Sequence, residues 1–325
     1  MSEVRPFRWL RCIAWSCLIL PLWSSAQSAW PNKPIHFIVP FAAGGANDLM
    51  GRAAAEGASK VLGQTVIVEN RPGAGGSLGA SLVAKSTPDG YTFLISAAGT
   101  ISNPMIKKNL PYKDEDLVPV ALIALSPSMV VVPQSSRYQN LKDFVDASRQ
   151  GKGFNFATAG SGSTPHFVAE ILNVKYGAQL QAVPYKSGSE STTAVMGGQV
   201  EGTSEASIIA LPHILHDGKF KALATTWTQR LSAYPQLSTA TEQGFPELKI
   251  AHWAGVHAPK GTPEEVMDKV AAAVDKAMKD PTITQRLKAL GIEPMGGTRS
   301  DFNRFTQEER KRLGEIVRAA QMKDN

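Results

Sequence analysis

Short apolar runs alternate with helical patterns along most of this chain. Ile35 to Val39 is a branched, continuous apolar run of strand length, and Pro40, which has no N–H for a ladder, ends it. Gly44 and Gly45 follow. Then Leu49, Met50, Ala53, Ala54, Ala58, Val61 and Leu62 recur at helical spacing and form one apolar face. Thr65 to Glu69 and Tyr91 to Ile95 read as further strands, the second leading into Ala97-Ala98-Gly99-Thr100. Val118 to Leu125 and Met129 to Val132 are two apolar runs separated at Ser126-Pro127.

The alternation continues in the second half. Asn140 to Arg149 reads as a helix with Leu141, Phe144 and Val145 inward, and Phe154 to Ala157 as a strand. In Thr158 to His166, Ser163 or Thr164 is placed to cap a helix whose first position is Pro165. Strands are expected at Gln181 to Tyr185, Val200 to Ser204, Phe220 to Thr226 and Ile250 to His257. Helices are expected at Glu190 to Met196 and Leu211 to Asp217. Thr262-Pro263-Glu264-Glu265 has the order of a cap, a first-position proline and an N3 glutamate. Two more helices cover Thr282 to Leu290 and about Ser300 to Ala320. Strands alternating with helices imply a largely parallel α/β fold.

The first residues follow a different rule. Arg5, Arg8 and Arg11 precede an apolar run from Cys12 to Trp23, and small residues follow at Ser24, Ser25, Ala26 and Ser28. This is the layout of a secretory signal peptide, expected over residues 1–28, with cleavage after Ala26 or Ser28 both compatible. Its apolar run of 12 residues is shorter than the ~20 a spanning helix needs. Removing it takes away both cysteines, so the exported chain has no disulfide and no thiol nucleophile. Net charge falls from +6 to +4, as three arginines and Glu3 leave. That mild excess is not a nucleic-acid footprint.

Catalytic signatures are missing. The G-x-S-x-G spacing occurs once, around Ser77 from Gly75 to Gly79, but inside a glycine-rich turn and not directly after a strand; neither H-E-x-x-H nor C-x-x-C occurs. The dinucleotide fingerprint fails too, since Leu78 stands where its third glycine would fall. We therefore expect no catalytic residue, no metal and no cofactor. His213 and His216, three apart with Asp217 beside them, are read as a solvated helix end and not as a metal site. The recurring device is a loop of small residues after a short strand, at Gly44-Gly45, at Ala97 to Thr100 and at Gly160 to Thr164. In a parallel sheet the strand C-terminal ends gather on one edge, where ligands bind. Open helix starts there would offer backbone N–H groups and hydroxyls to a small anion.

The motifs, taken together, are similar to those of the Bug-type periplasmic receptors of tripartite tricarboxylate transporters. They include VPF-xx-GG at Val39 to Gly45, VENRPGAGG at Val68 to Gly76 and PDGYT at Pro88 to Thr92. AGSGSTPH at Ala159 to His166, VPYK at Val183 to Lys186, GGQVE at Gly197 to Glu201 and LPHI at Leu211 to Ile214 extend the match. The resemblance implies a two-lobed, type II-like periplasmic binding protein of Venus-flytrap form. Each lobe would be a mixed, mostly parallel sheet flanked by helices. It implies lobe I over residues 29–128 and 253–325 and lobe II over 129–252, with no enzyme activity.

By the same resemblance the protein is expected to be a periplasmic monomer whose partners are a small organic acid and membrane permease subunits, not nucleic acid. Expected ligand contacts are Pro40, Phe41, Ala42, Ala43, Gly44 and Gly45 in the first loop, Ala98, Gly99 and Thr100 in the second, and Gly160, Ser161, Gly162, Ser163 and Thr164 in the third. His166, Glu205 and Trp253 complete the set. Two departures stand out. Ala42 and Ala43 replace the usual prolines, and Ser204-Glu205-Ala206 replaces Phe-Asp-Asn, where the distal part of a ligand is selected. The sequence leaves open whether Glu205 faces the cleft. Competing readings are a ligand-dependent partner of a sensor kinase, and a secreted hydrolase or isomerase with His166 as its base.

Overall fold

A computed structural model describes residues 1–3 and 30–323. The export segment expected over residues 1–28 lies, beyond its first three residues, outside them. The first elements are β1 (Ile35–Val39), α1 (Ala46–Leu62), β2 (Val66–Asn70), α2 (Ser77–Ala84), β3 (Thr92–Ser96) and α3 (Ala98–Ile106). The long strand β4 (Leu117–Pro133) leads to α4 (Leu141–Ser148), β5 (Phe154–Thr158), α5 (Thr164–Tyr176), β6 (Leu180–Pro184) and α6 (Gly188–Met196). Then come β7 (Gly202–Ala206), α7 (Ser207–Leu215), β8 (Phe220–Thr225) and β9 (Ala251–Pro259). The chain closes with α8 (Glu264–Lys279), α9 (Pro281–Ala289), β10 (Glu293–Pro294) and α10 (Arg299–Ala319).

The strands follow the order β2-β1-β3-β9-β4-β7-β5-β6, with β8 and β10 also pairing β4. Parallel pairing is confined to the two wings, β1 with β2 and β3, and β5 with β6 and β7. Every pair made by β4 or β9 is antiparallel. The sheet is therefore mixed, with parallel α/β wings on either side of long crossing strands.

β4 corrects one sequence expectation. The two apolar runs around Ser126-Pro127 are a single strand. Pro127 is tolerated because it sits where pairing with β9 ends, opposite Ala251, and pairing with β7 begins, at Ser128. Pro119 lies beside a register shift, another place where a missing N–H does no harm. Two helix starts also move. Pro263, not Thr262, is the residue before α8, because the Thr262 hydroxyl donates to Pro259 O at 2.8 Å instead of capping. α7 starts at Ser207, four residues earlier than the apolar pattern suggested.

Burial divides into separate clusters. Phe37, Ile95, Met50 and Ala54 of the first wing pack with Val270 and Val274 of α8. In the second wing Phe144, Phe156, Phe167 and Leu172 pack together, and Leu313 and Ile316 of α10 join them. Each large side chain so buried contributes about 1.5–3 kcal/mol, so each wing has its own core. This gives two lobes linked by β4 and β9.

Candidate ligand-binding site

A cavity of about 70 Å³ lies where the two wings meet. One water needs about 10–15 Å³ of such space, so a small organic molecule fits. Its wall is built largely from helix starts. Gly45, Ala46 and Asn47 come from the start of α1, and Ala97, Ala98 and Gly99 from that of α3. Ser163, Thr164 and Pro165 come from the start of α5, and Ser187, Gly188 and Ser189 from that of α6.

Each helix begins there for a local reason. α1 follows Gly44, whose φ of +80° suits glycine, and its N-cap Gly45 offers no side-chain acceptor. The N-cap of α5, Ser163, does not cap either, since its hydroxyl donates to Gly160 O at 2.7 Å. The first N–H groups of these helices have no intrahelical acceptor, and the helix dipoles add partial positive charge. In α3 the Ala97 N–H is used, donating to Thr100 Oγ1 at 3.2 Å. In α6 the Ser187 hydroxyl accepts from Glu190 N at 3.2 Å.

None of the lining residues is lysine or arginine. The ionisable side chains in the wall are Glu205 and His252. Glu205 is 5% exposed. Its Oε1 accepts from Ala206 N at 3.0 Å and its Oε2 from Thr192 Oγ1 at 3.4 Å. Burial, only partly offset by these two bonds and the charge of His213, pushes its pKa up to about 7. His252 presents an Nε2 that is buried without a hydrogen-bond partner. Burial pushes its pKa down to about 4, so it is neutral at pH 7.

The expected site residues separate into two groups. Phe41, Ala42, Gly45, Ala98, Gly99, Ser163, Thr164 and Glu205 come together around the cavity. Pro40, Ala43, Gly44, Thr100, Gly160, Ser161, Gly162, His166 and Trp253 do not line it. Gly44 N donates to Asp48 Oδ2 at 2.9 Å, so this amide already has an internal carboxylate. Asp48 is 2% exposed. Its burial opposes ionisation, but Arg52, the Gly44 N–H and Asn70 outweigh that and hold its pKa below the usual value. Gly160 and Ser161 instead face the 73–76 loop: a Cβ on Gly75 would lie 3.0 Å from Ser161 O. His166 Nδ1 accepts from Gly162 N at 3.1 Å.

Trp253 is 1% exposed and its indole packs edge-on against Phe302 and Phe305. Neighbours on a strand point to opposite faces, so His252 takes the cavity side. Sequence reasoning also missed Asn47, Ile209 and the 187–189 segment. The last was readable: Ser187-Gly188-Ser189-Glu190 is a capping-box pattern. Among the described residues no group of three or more His, Cys, Asp or Glu is arranged to hold a metal.

Comparison with known proteins gives consistent results. The family described as "Tripartite tricarboxylate transporter family receptor" matches residues 50–322. A Pseudomonas sp. (strain P51) protein, described as the UPF0065 protein in the tcbD-tcbE intergenic region, is 34% identical over 89% of this chain and 87% of its own. The structure of the periplasmic binding protein BugD superposes with a TM-score of 0.85 at 30% identity, covering 91% of this chain and 100% of BugD. The structure of R. palustris Rpa4515 with adipate gives a TM-score of 0.86 at 29% identity, covering 91% and 100%.

Proposed function

This chain belongs to the tripartite tricarboxylate transporter receptor family, and on that premise we propose that it binds a small organic carboxylate between its two lobes and delivers it to membrane permease subunits. The observation that carries this reading is the convergence of four helix starts on one cavity without a lysine or arginine in its wall. Backbone N–H groups at helix starts stabilise an anion without the desolvation cost of a buried cation. The related protein solved with adipate supports the same ligand class.

The proposed seat of the carboxylate is the backbone of the 41–47, 97–99 and 163–165 segments. The proposed lobes are 29–128 with 253–325, and 129–252. The exported chain works in the periplasm as a monomer. Binding without turnover is favoured by the state of His166: its Nδ1 lone pair is engaged by Gly162 N, so it is not a free base. A thermal-shift screen of the exported chain against organic acids tests the proposal. Stabilisation by at least one acid, and by none of the corresponding amides, is the expected result. Stabilisation by the amides alone refutes it.

A further inference from the structure

The cavity wall beside the start of α6 carries a carboxyl group of its own. Glu205 sits on β7, buried, with Oε1 and Oε2 receiving one hydrogen bond each, from Ala206 N and Thr192 Oγ1. Neither donor is a cation. A carboxylate has about four acceptor sites, so two bonds leave it with capacity to spare. The start of α6 is shaped around this group: an ideal Cβ on Gly188 would lie 3.2 Å from Oε2 and 3.7 Å from Oε1. Any larger residue at 188 would crowd the carboxyl from the cavity wall.

We infer that Glu205 is a specificity-determining residue that accepts from a cationic N–H group of the ligand, so that the preferred ligand is an amine-bearing carboxylate. This rests on the proposed carboxylate-binding reading. Charge balance in the cavity favours this ligand. A ligand carboxylate held by the helix starts is satisfied by N–H groups and dipoles. A second ligand carboxylate would meet Glu205 with no lysine or arginine in the wall to separate the two anions. Two like charges in a desolvated cavity repel strongly. An ammonium in the same place completes a charge-assisted pair and uses the vacant acceptor sites of Glu205.

Other titratable groups do not supply the missing cation. His252 on β9 lines the same cavity, but its burial keeps it neutral. His213 on α7 acts on Glu205 at a distance and is engaged by Asp217 at 2.7 Å. The Glu205 pKa near 7 means that an incoming ammonium, by favouring the ionised form, displaces its proton.

The test uses calorimetry on the exported chain at about pH 8, where Glu205 is ionised. The probes are matched pairs that differ by one amino group: propanoate and alanine, succinate and aspartate, glutarate and glutamate. The amine-bearing member of at least one pair should bind about tenfold or more tightly than its partner. Glu205→Gln should shrink that ratio to about threefold or less. Equal or tighter binding of the deaminated member in every pair overturns the inference and leaves the carboxylate-receptor reading intact. An amine preference that survives in Glu205→Gln overturns it as well. Failure of every probe to bind defeats both readings together.

Discussion

Ser102 Oγ donates to the carbonyl of Gly162 at 2.9 Å, joining α3 of the first wing to the loop that precedes α5 in the second. The contact is buried and tight: an ideal Cβ on Gly162, at φ +76°, would lie 2.5 Å from Ser102 Oγ. Asn103 Nδ2 adds a bond to Gly75 O at 3.0 Å, on the loop that faces Gly160 and Ser161. The two wings are therefore joined here by a contact too close to tolerate a side chain at Gly162.

Gly162→Ala should destabilise this arrangement through both the left-handed backbone and the Ser102 contact. The expected loss is about 1–3 kcal/mol, the larger part from displacing the hydroxyl. Ser102→Ala, which leaves the Gly162 carbonyl without its partner, should cost about 1–2 kcal/mol. Urea denaturation of the two variants and the double variant checks this. The double variant should be less destabilised than the sum, because the clash disappears with the hydroxyl.

Asn47 ties the first helix to two strands. Its Nδ2 donates to Trp253 O at 2.9 Å and to Ser96 O at 3.3 Å, and the residue also lines the cavity. Asn47→Ala should cost about 2 kcal/mol of stability, because it removes two buried hydrogen bonds. It should also weaken binding of any acid the wild type recognises. Asn47→Asp should be worse, since a carboxylate would face two carbonyl oxygens. Thermal melting with and without the acid separates the two effects.

The pKa of Glu205 is raised from 4.5 to about 7 by burial, so the folded state keeps its proton where the unfolded chain has lost it. Stability from this group therefore falls as pH rises from 4.5 to about 7 and is level above that window. The fall is about 3 kcal/mol at most. Glu205→Gln should remove it, so the variant should melt higher than wild type at about pH 8 and differ little at about pH 4.5. A wild-type minus variant difference that does not change with pH would contradict this account.

His257 gives the opposite sign. It is 4% exposed, and the Ser96 hydroxyl, which donates to Gly255 O at 3.0 Å, must accept from His257 Nδ1–H at 2.7 Å. Burial, helped by the nearby charge of Arg310, pushes its pKa down to about 3. The unfolded chain takes up a proton below pH 6.5 and the folded one does not, so stability is lost as pH falls from 6.5 towards 3. By about pH 4 the loss is on the order of 3 kcal/mol. His257→Gln should flatten that limb. Unfolding curves between neutral and acid pH, compared for the two proteins, measure it.

What the sequence by itself determined is local. Strand, small-residue turn and helix start at 35–46, 92–98 and 154–164 are written in residues that neighbour one another, so their order and the family resemblance were legible. The α6 start was equally local, in Ser187 to Glu190, but a short helix with a weak apolar pattern hid it. Only the tertiary structure decided which of these starts face one another. Gly160 to Gly162 turn to the 73–76 loop and to Ser102, while Ser163 to Pro165 turn to the cavity. It also decided which strand residue looks inward. A shift of one residue reverses a side chain's face, so His252 lines the cavity and Trp253 fills the core behind it. Glu205 reaches the cavity because β7 pairs with β4 in a register that sets it opposite Met129. That pairing joins residues far apart in the chain, and no pattern of neighbours encodes it.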